Sequence, residues 1–336
     1  MPETWLIQEL PLRGTVNLQD LPEGDAELEY KIAVDDQAIP LARGKLGIAF
    51  VKDLEKRLEV LTAAIDDLPA TAASVEEATL RAHVQLLKSL AGVYSPETDY
   101  PAAWLLKEAE AVLAARRGGE AYYGHGKTGQ FWLTLLTGRT RTIVRLLAPP
   151  AAAKREPLPL VIALHGAGGS ENMFFDVYGH GKIVELCQDR GWLLVAPRSG
   201  GFGGAPLAEV IDEIAKLYPV DSRRIFVVGH SMGAAQALLN ARLTPERFTA
   251  IAALGGGRPI AVSEAMKTPA YFVGIGTKDF AYRGAKALGD ALKKAQVPHF
   301  TYKEYPEVEH LMIVQISLND VFRFFEEAAA RRATKS

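Results

Sequence analysis

Gly229-His230-Ser231-Met232-Gly233 places a serine where its hydroxyl can serve as a nucleophile. The pentapeptide is a G-x-S-x-G motif that follows the apolar run 225–228 and opens a helix-like segment. A sharp strand-to-helix turn of this kind strains the serine backbone and pushes Oγ out of the sheet, while the flanking glycines let strand and helix approach. In a chain of 336 residues with 30 glycines the pattern alone is cheap. Its strand–turn–helix placement is what gives it weight.

A serine hydroxyl is a weak nucleophile and needs a base. On such an elbow the partners follow in the order serine, acid, histidine. Two histidines lie beyond Ser231. His299 starts a strand-like run, whereas His310 sits in the polar loop 306–310 between the last strand and the last helix. Ligands meet an open α/β sheet at loops leaving the C-terminal ends of strands, which favours His310 as the base. Asp279 follows the apolar run 271–275 at a similar strand end and is the expected acid. Its carboxylate would fix the imidazole tautomer and stabilise the imidazolium. Asp290 falls within a helix, and Glu304 and Glu307 flank the last strand. An oxyanion needs main-chain donors: Met232 N–H, directly after the nucleophile, and one from the loop His165-Gly166-Ala167-Gly168-Gly169-Ser170. Ala167 is the choice there, with Gly168 as the fallback. A phosphate-binding G-x-x-x-x-G-K-[ST] pattern is absent from this loop. Loops at the same sheet edge carry Phe174, Phe202, Phe280 and Leu311, expected substrate contacts for an acyl or aryl group.

These residues need a scaffold. Strand-like runs at 131–136, 142–147, 160–164, 192–196, 225–228, 250–254, 270–275 and 300–305 alternate, from 160 onward, with helical segments at 181–190, 206–217, 232–243, 284–295 and 313–331. That alternation predicts a mostly parallel, doubly wound α/β sheet. Upstream, residues 46–68 carry apolar side chains at helical spacing, Ser74-Val75-Glu76-Glu77 has capping-box form, and a third helix runs from about 102 to 117. Residues 1–45 have no clear assignment. The expected division is a mainly helical accessory domain over 1–118 and a catalytic domain over 119–336. The first 100 residues hold 9 basic against 18 acidic side chains, and the remainder 29 against 22.

The run 164–169, the segment Asp221-Ser222-Arg223-Arg224-Ile225-Phe226 and the 229–233 pentapeptide together resemble an α/β-hydrolase, in the branch of polyhydroxybutyrate depolymerases, feruloyl esterases and prolyl-oligopeptidase-like esterases. The resemblance covers about residues 120–331. It implies hydrolysis of carboxylic esters through an acyl-enzyme, without a cofactor or metal. Residues 1–118 lie outside it. Short aliphatic, acetyl, feruloyl and polymer-linked esters all fit as expected substrates. A serine peptidase and an acyltransferase are alternatives on the same residues, although the large β-rich propeller region of the peptidases is missing. A missing partner of the serine would favour a non-catalytic binding module, and none is missing. The short stretch 255–269 leaves no room for a long lid, so an open site is expected.

Composition narrows the classes further. A net charge of −2 lacks the basic footprint of a nucleic-acid partner, and 48% hydrophobic residues are ample for a packed core. No run approaches the ~18 apolar residues of a membrane span. The single cysteine, Cys187, has apolar helical neighbours and reads as core. The first residues lack the basic start and apolar run of a secretory signal, so the expectation is a cytoplasmic location by default and an exported one if a signal has been removed.

Overall fold

The computed structural model describes residues 21–32, 42–68, 74–92, 98–199 and 204–334. In chain order the elements are β1 (Gly24–Ile32), β2 (Ala42–Phe50), α1 (Leu54–Asp66), α2 (Val75–Leu90), α3 (Ala102–Arg117), β3 (Gly129–Thr137), β4 (Thr140–Ala148), β5 (Leu158–Leu164), α4 (Lys182–Arg190), β6 (Leu193–Pro197), α5 (Leu207–Leu217), β7 (Val220–His230), α6 (Met232–Leu243), β8 (Ala250–Leu254), β9 (Ala270–Gly276), α7 (Tyr282–Lys294), β10 (Phe300–Tyr305) and α8 (Met312–Ala333). Eight strands form one sheet in the order β10-β9-β8-β7-β5-β6-β4-β3. The six from β10 to β6 run parallel, and β4 and β3 join antiparallel at one edge. This is the α/β-hydrolase fold, a mostly parallel sheet covered by helices.

The strands are short apolar runs because both faces are buried. Side chains alternate between faces. On β5, Leu160, Ile162 and Leu164 join one core with residues of α1–α3 and α5–α7, while Val161 and Ala163 enter a second core with residues of α4 and α8. In the second core Phe322, Trp192, Phe226 and Phe325 stack in that order. Cys187 is fully buried there, and burial pushes its thiol pKa up.

The chain passes from β5 outward to β6 and then returns to place β7 on the other side of β5. Loops leaving the C-terminal ends of β5 and β7 therefore diverge and open a crevice between them, the position at which an open α/β sheet takes ligands. The 165–170 loop and Ser231 both emerge there.

The upstream region differs in part from the expectation. Residues 46–50 belong to β2, which pairs with β1 as an antiparallel hairpin, and only 54–66 of the expected first helix is helical. Leu46, Ile48 and Phe50 alternate, as a strand requires, and merge without a Gly or Pro into the helical spacing that follows. Helix α3 begins after Pro101, which offers no side-chain cap. Asp25 of β1 supplies one instead, accepting the N–H groups of Ala103 at 2.9 Å and Trp104 at 2.8 Å. The expected boundary near residue 118 falls at the end of α3, and the first core runs across it from Leu58 through Leu105 to Trp132.

Helix α2 covers the edge strand β3. Thr79 Oγ1 accepts the Thr134 N–H at 2.9 Å, and one turn later His83 Nε2 lies 3.0 Å from the Trp132 carbonyl oxygen, to which it donates. Two outward main-chain groups of an edge are thus satisfied by one helix face. His83 is fully buried, and burial lowers its pKa to about 4.

Glu108 of α3 is 4% exposed, and neither carboxyl oxygen has a hydrogen-bond partner among the described residues. Burial raises its pKa to about 8, with the nearby Tyr123 hydroxyl and Lys127 ammonium offsetting only part of the effect. A raised acid pKa contributes stability that is full below the unfolded value and is lost as pH rises through the folded one. Glu108→Gln should therefore raise the urea midpoint at pH 8.5, corresponding to a gain of at least about 1 kcal/mol in unfolding free energy, and much less at pH 5. Equal midpoints for the two proteins at pH 8.5 would contradict the buried neutral carboxyl.

Candidate active site

Ser231 lies between β7 and α6 with φ 54° and ψ −113°, a strained conformation for a residue with a side chain. Two close approaches force it. A Cβ on Gly229 would collide with the Gly233 carbonyl oxygen, and one on Gly233 would collide with the Leu164 carbonyl oxygen of β5. The Ser231 N–H donates to the Leu254 carbonyl of β8 at 2.9 Å, which ties the turn to the sheet.

His310 reaches this turn from the loop between β10 and α8. Its Nε2 lies 3.0 Å from Ser231 Oγ, and its Nδ1 lies 2.8 Å from Asp279 Oδ1. With Nδ1–H donating to the carboxylate, Nε2 is free to accept the serine proton. Asp279 Oδ1 also accepts the Ala281 N–H at 2.8 Å, and the carboxylate is wholly buried. The loops carrying Asp279 and His310 are laced together. Lys278 N–H donates to the Val308 carbonyl at 3.1 Å, Thr277 N–H to the Tyr305 carbonyl at 3.0 Å, and Glu307 N–H to Thr277 Oγ1 at 2.9 Å. A Cβ on Gly276 would strike the Val308 carbonyl oxygen, so only glycine lets the two loops meet.

Met232 opens α6, so its N–H is a first-turn donor that no intrahelical bond can satisfy. Across the crevice Ala167 and Gly168 are exposed, with Gly168 at φ 79°. His165 anchors the start of their loop: its Nδ1 donates to the Gly166 carbonyl at 2.7 Å, and its Nε2 accepts the Ser199 N–H at 3.1 Å.

The expected substrate contacts divide. Phe280 is 82% exposed, with its ring centroid 4.1 Å from that of His310, and Leu311 is exposed beside it. Phe174 is not at the crevice surface. It is 1% exposed and packs edge-on against Tyr178 at 4.9 Å, because residues 173–177 form a turn of π-helix that folds back beneath the loop. Its role as a substrate contact is thereby corrected to one of support. Phe202 lies outside the described residues. Among the described residues no group of three or more His, Cys, Asp and Glu could hold a metal ion, and no helix is long and apolar enough to cross a membrane.

Two residues without a role in the motif reading join the site. His230, the residue before Ser231, is buried. Its Nε2 donates to the His310 carbonyl at 2.9 Å, and its Nδ1 accepts the Tyr178 hydroxyl proton at 2.8 Å. Tyr178 Oη in turn accepts the Gly166 N–H at 3.4 Å. One chain of hydrogen bonds thus links the loop after β5, the nucleophile turn and the main chain of His310. It requires a neutral His230, and burial lowers the pKa of that imidazole to about 4. The identity of His230 in the pentapeptide was the one available signal.

Comparison with known proteins agrees with this architecture. Residues 159–307 match the family model described as alpha/beta hydrolase fold. A protein of Nocardia uniformis subsp. tsuyamanensis named "Putative esterase NocK" is 28% identical over 149 residues, 40% of this chain and 43% of that protein. The chain thus matches less than half the length of that relative. Among solved structures, FphF, a fluorophosphonate-binding serine hydrolase of Staphylococcus aureus, superposes with a TM-score of 0.51 at 14% identity, covering 60% of this chain and 99% of that one. The feruloyl esterase module from Clostridium thermocellum gives 0.52 at 15% identity, covering 60% and 88%. At such identities the likeness concerns the fold.

Tyr178→Phe leaves His230 Nδ1 without its donor in a buried setting and should cost about 1–3 kcal/mol in urea unfolding at pH 7. A depressed histidine pKa contributes stability above the unfolded value that is lost as pH falls through the folded one. The His230 ring resonances should accordingly stay those of neutral imidazole from pH 8 to 5.5 in NMR titration. A midpoint near 6.5 would refute the hydrogen-bond chain.

Proposed function

We propose that this α/β-hydrolase-fold protein is a serine ester hydrolase acting through an acyl-enzyme. The observation that carries the reading is the continuous path from Ser231 Oγ through the His310 imidazole to the buried Asp279 carboxylate, with links of 3.0 and 2.8 Å, on a strained turn at the crevice between β5 and β7. The putting together of nucleophile, base and acid in this order is what ester cleavage by serine needs.

In this reading Ser231 Oγ attacks the ester carbonyl while its proton passes to His310 Nε2. Asp279 keeps the imidazole oriented and stabilises the imidazolium. The carbonyl oxygen gains negative charge and is received by the N–H groups of Met232 and Ala167, or Gly168 in place of Ala167. Fixed donors of this kind are worth about 2.7–4 kcal/mol each in the transition state. The imidazolium then protonates the departing alcohol. Water enters by the reverse use of the same groups and releases the acid. Carbon–oxygen bond cleavage and proton transfer need only these side chains and water.

Phe280 and Leu311 line the mouth, and the connection from β8 to β9 carries no long insertion, so the substrate approaches an open crevice. Short-chain aliphatic, acetyl, feruloyl and polymer-linked esters are the classes to rank, with p-nitrophenyl, hydroxycinnamoyl and polymeric esters as probes.

Ser231→Ala should reduce ester hydrolysis by about 10³-fold or more while leaving the circular dichroism spectrum unchanged. A fluorophosphonate should label the wild-type protein and not the variant. Turnover retained by folded Ser231→Ala would overturn the assignment.

A further inference from the structure

The loop between β5 and α4 carries the proposed oxyanion donor Ala167, and immediately beyond it the chain turns inward. Ser170, Glu171 and Asn172 are all buried, with Glu171 and Asn172 at 0% exposure. A carboxylate and a carboxamide so deeply placed require partners, and part of what they find comes from the segment leading into α3.

Glu171 Oε1 accepts the Tyr100 hydroxyl at 3.0 Å and one Nη2–H of Arg198 at 2.7 Å; its Oε2 accepts Arg198 Nε–H at 2.6 Å. The second Nη2–H of Arg198 donates to Tyr100 Oη at 2.6 Å, which closes a ring of three side chains. Arg198 follows β6 and is itself fixed by its N–H to the Ile143 carbonyl at 2.8 Å. Beside this ring, Asn172 Nδ2 donates to Thr98 Oγ1 at 2.9 Å, and its Oδ1 accepts Trp132 Nε1–H at 2.8 Å and Arg145 Nη1–H at 3.2 Å. Charge-assisted bonds to a buried carboxylate are among the strongest that side chains make.

The loop is therefore pinned at both ends. His165 holds its start against Gly166 and Ser199, and Thr98 and Tyr100 help hold Glu171 and Asn172 at its end. Between the two anchors only Ala167 and Gly168 are exposed. The position of their N–H groups follows from where the anchors sit.

We infer that Thr98 and Tyr100 are positioning residues for ester hydrolysis: they reach over from the segment leading into α3 and set the main chain that receives the oxyanion. This makes the region before β3 a working part of the site as well as a cover for the sheet edge. The inference rests on the proposed role of Ser231 and of the 165–168 loop. Neither side chain touches substrate; each acts through Glu171 or Asn172.

Thr98→Val and Tyr100→Phe remove one hydroxyl each and keep side-chain volume. The test is the double variant in the full chain, with each single variant alongside. The readouts are kcat and KM for p-nitrophenyl butyrate, the Ki of an aliphatic trifluoromethyl ketone, and the melting temperature. The ketone adds Ser231 and so carries an oxyanion where the transition state does, which makes its Ki a measure of the donors rather than of folding. The expected result is a kcat reduced about tenfold, KM within about twofold, and Ki raised about as much as kcat falls, since a displaced donor costs rate without costing ground-state binding. Unchanged kcat and Ki in the folded double variant overturn the inference. So does a loss of activity that follows only the folded fraction while Ki per folded molecule stays the same. If the double variant fails to fold, the two single variants are judged by the same criteria. Ser231→Ala separates the two levels: if it is inactive while the double variant matches wild type, only the positioning role fails, and if it is active the hydrolase reading itself fails.

Discussion

The backbone of Ser231 is bent into a region that side-chain-bearing residues avoid, at a cost of about 1–3 kcal/mol. It holds this shape because β5, β7 and α6 approach one another through glycine alone: Gly229 faces the carbonyl of Gly233, and Gly233 faces that of Leu164. Much else in the crevice follows from this contact. It sets the direction of Oγ, presents the Met232 amide at the open end of α6, and brings His230 beneath His310. The Leu254 carbonyl fixes the turn from the other side through the Ser231 amide. A strained turn persists only where its surroundings over-determine it, and here strand, helix and neighbouring strand each constrain it.

The sheet was largely legible in the sequence because strands buried on both faces leave continuous apolar runs, and because Gly, Asp and polar loops punctuate them. The candidate trio stood out for the same reason: Ser231, Asp279 and His310, which the fold brings within hydrogen-bond reach of one another, each follow the end of such a run. What escaped has a common physical cause. Asp25 caps α3 from 78 residues away, and Tyr100 meets Glu171 across 71 residues. Neither pairing leaves a local pattern. Phe174 looked like a ligand contact because an aromatic in a loop carries no sign of whether the loop folds outward or back under itself. The hairpin β1–β2 was hidden by a change of period, from alternation at Leu46, Ile48 and Phe50 to helical spacing from Leu54, with no breaking residue between.

The region before β3 answers two different physical needs. Helix α2 satisfies outward main-chain groups of an edge strand through Thr79 and His83, which blunts an edge that would otherwise be a template for pairing with other chains. Tyr100 and Thr98 meet the polar groups that the loop after β5 buries. One core continues from these helices into the sheet, so the packing gives no sign of a unit laid on afterwards.

The hydrogen bond between Ser231 and His310 spans 79 residues of sequence, and the strand that anchors the serine amide, β8, also lies downstream of it. Chains emerge from the ribosome N-terminus first, and a domain generally folds as a unit. The segment holding Tyr100 is therefore synthesised before the loop it contacts, whereas the imidazole that would activate the serine follows every strand of the described residues. A nascent chain that ended before residue 310 would therefore hold Ser231 without the imidazole that hydrogen-bonds it, and also without helix α8, which closes the second core.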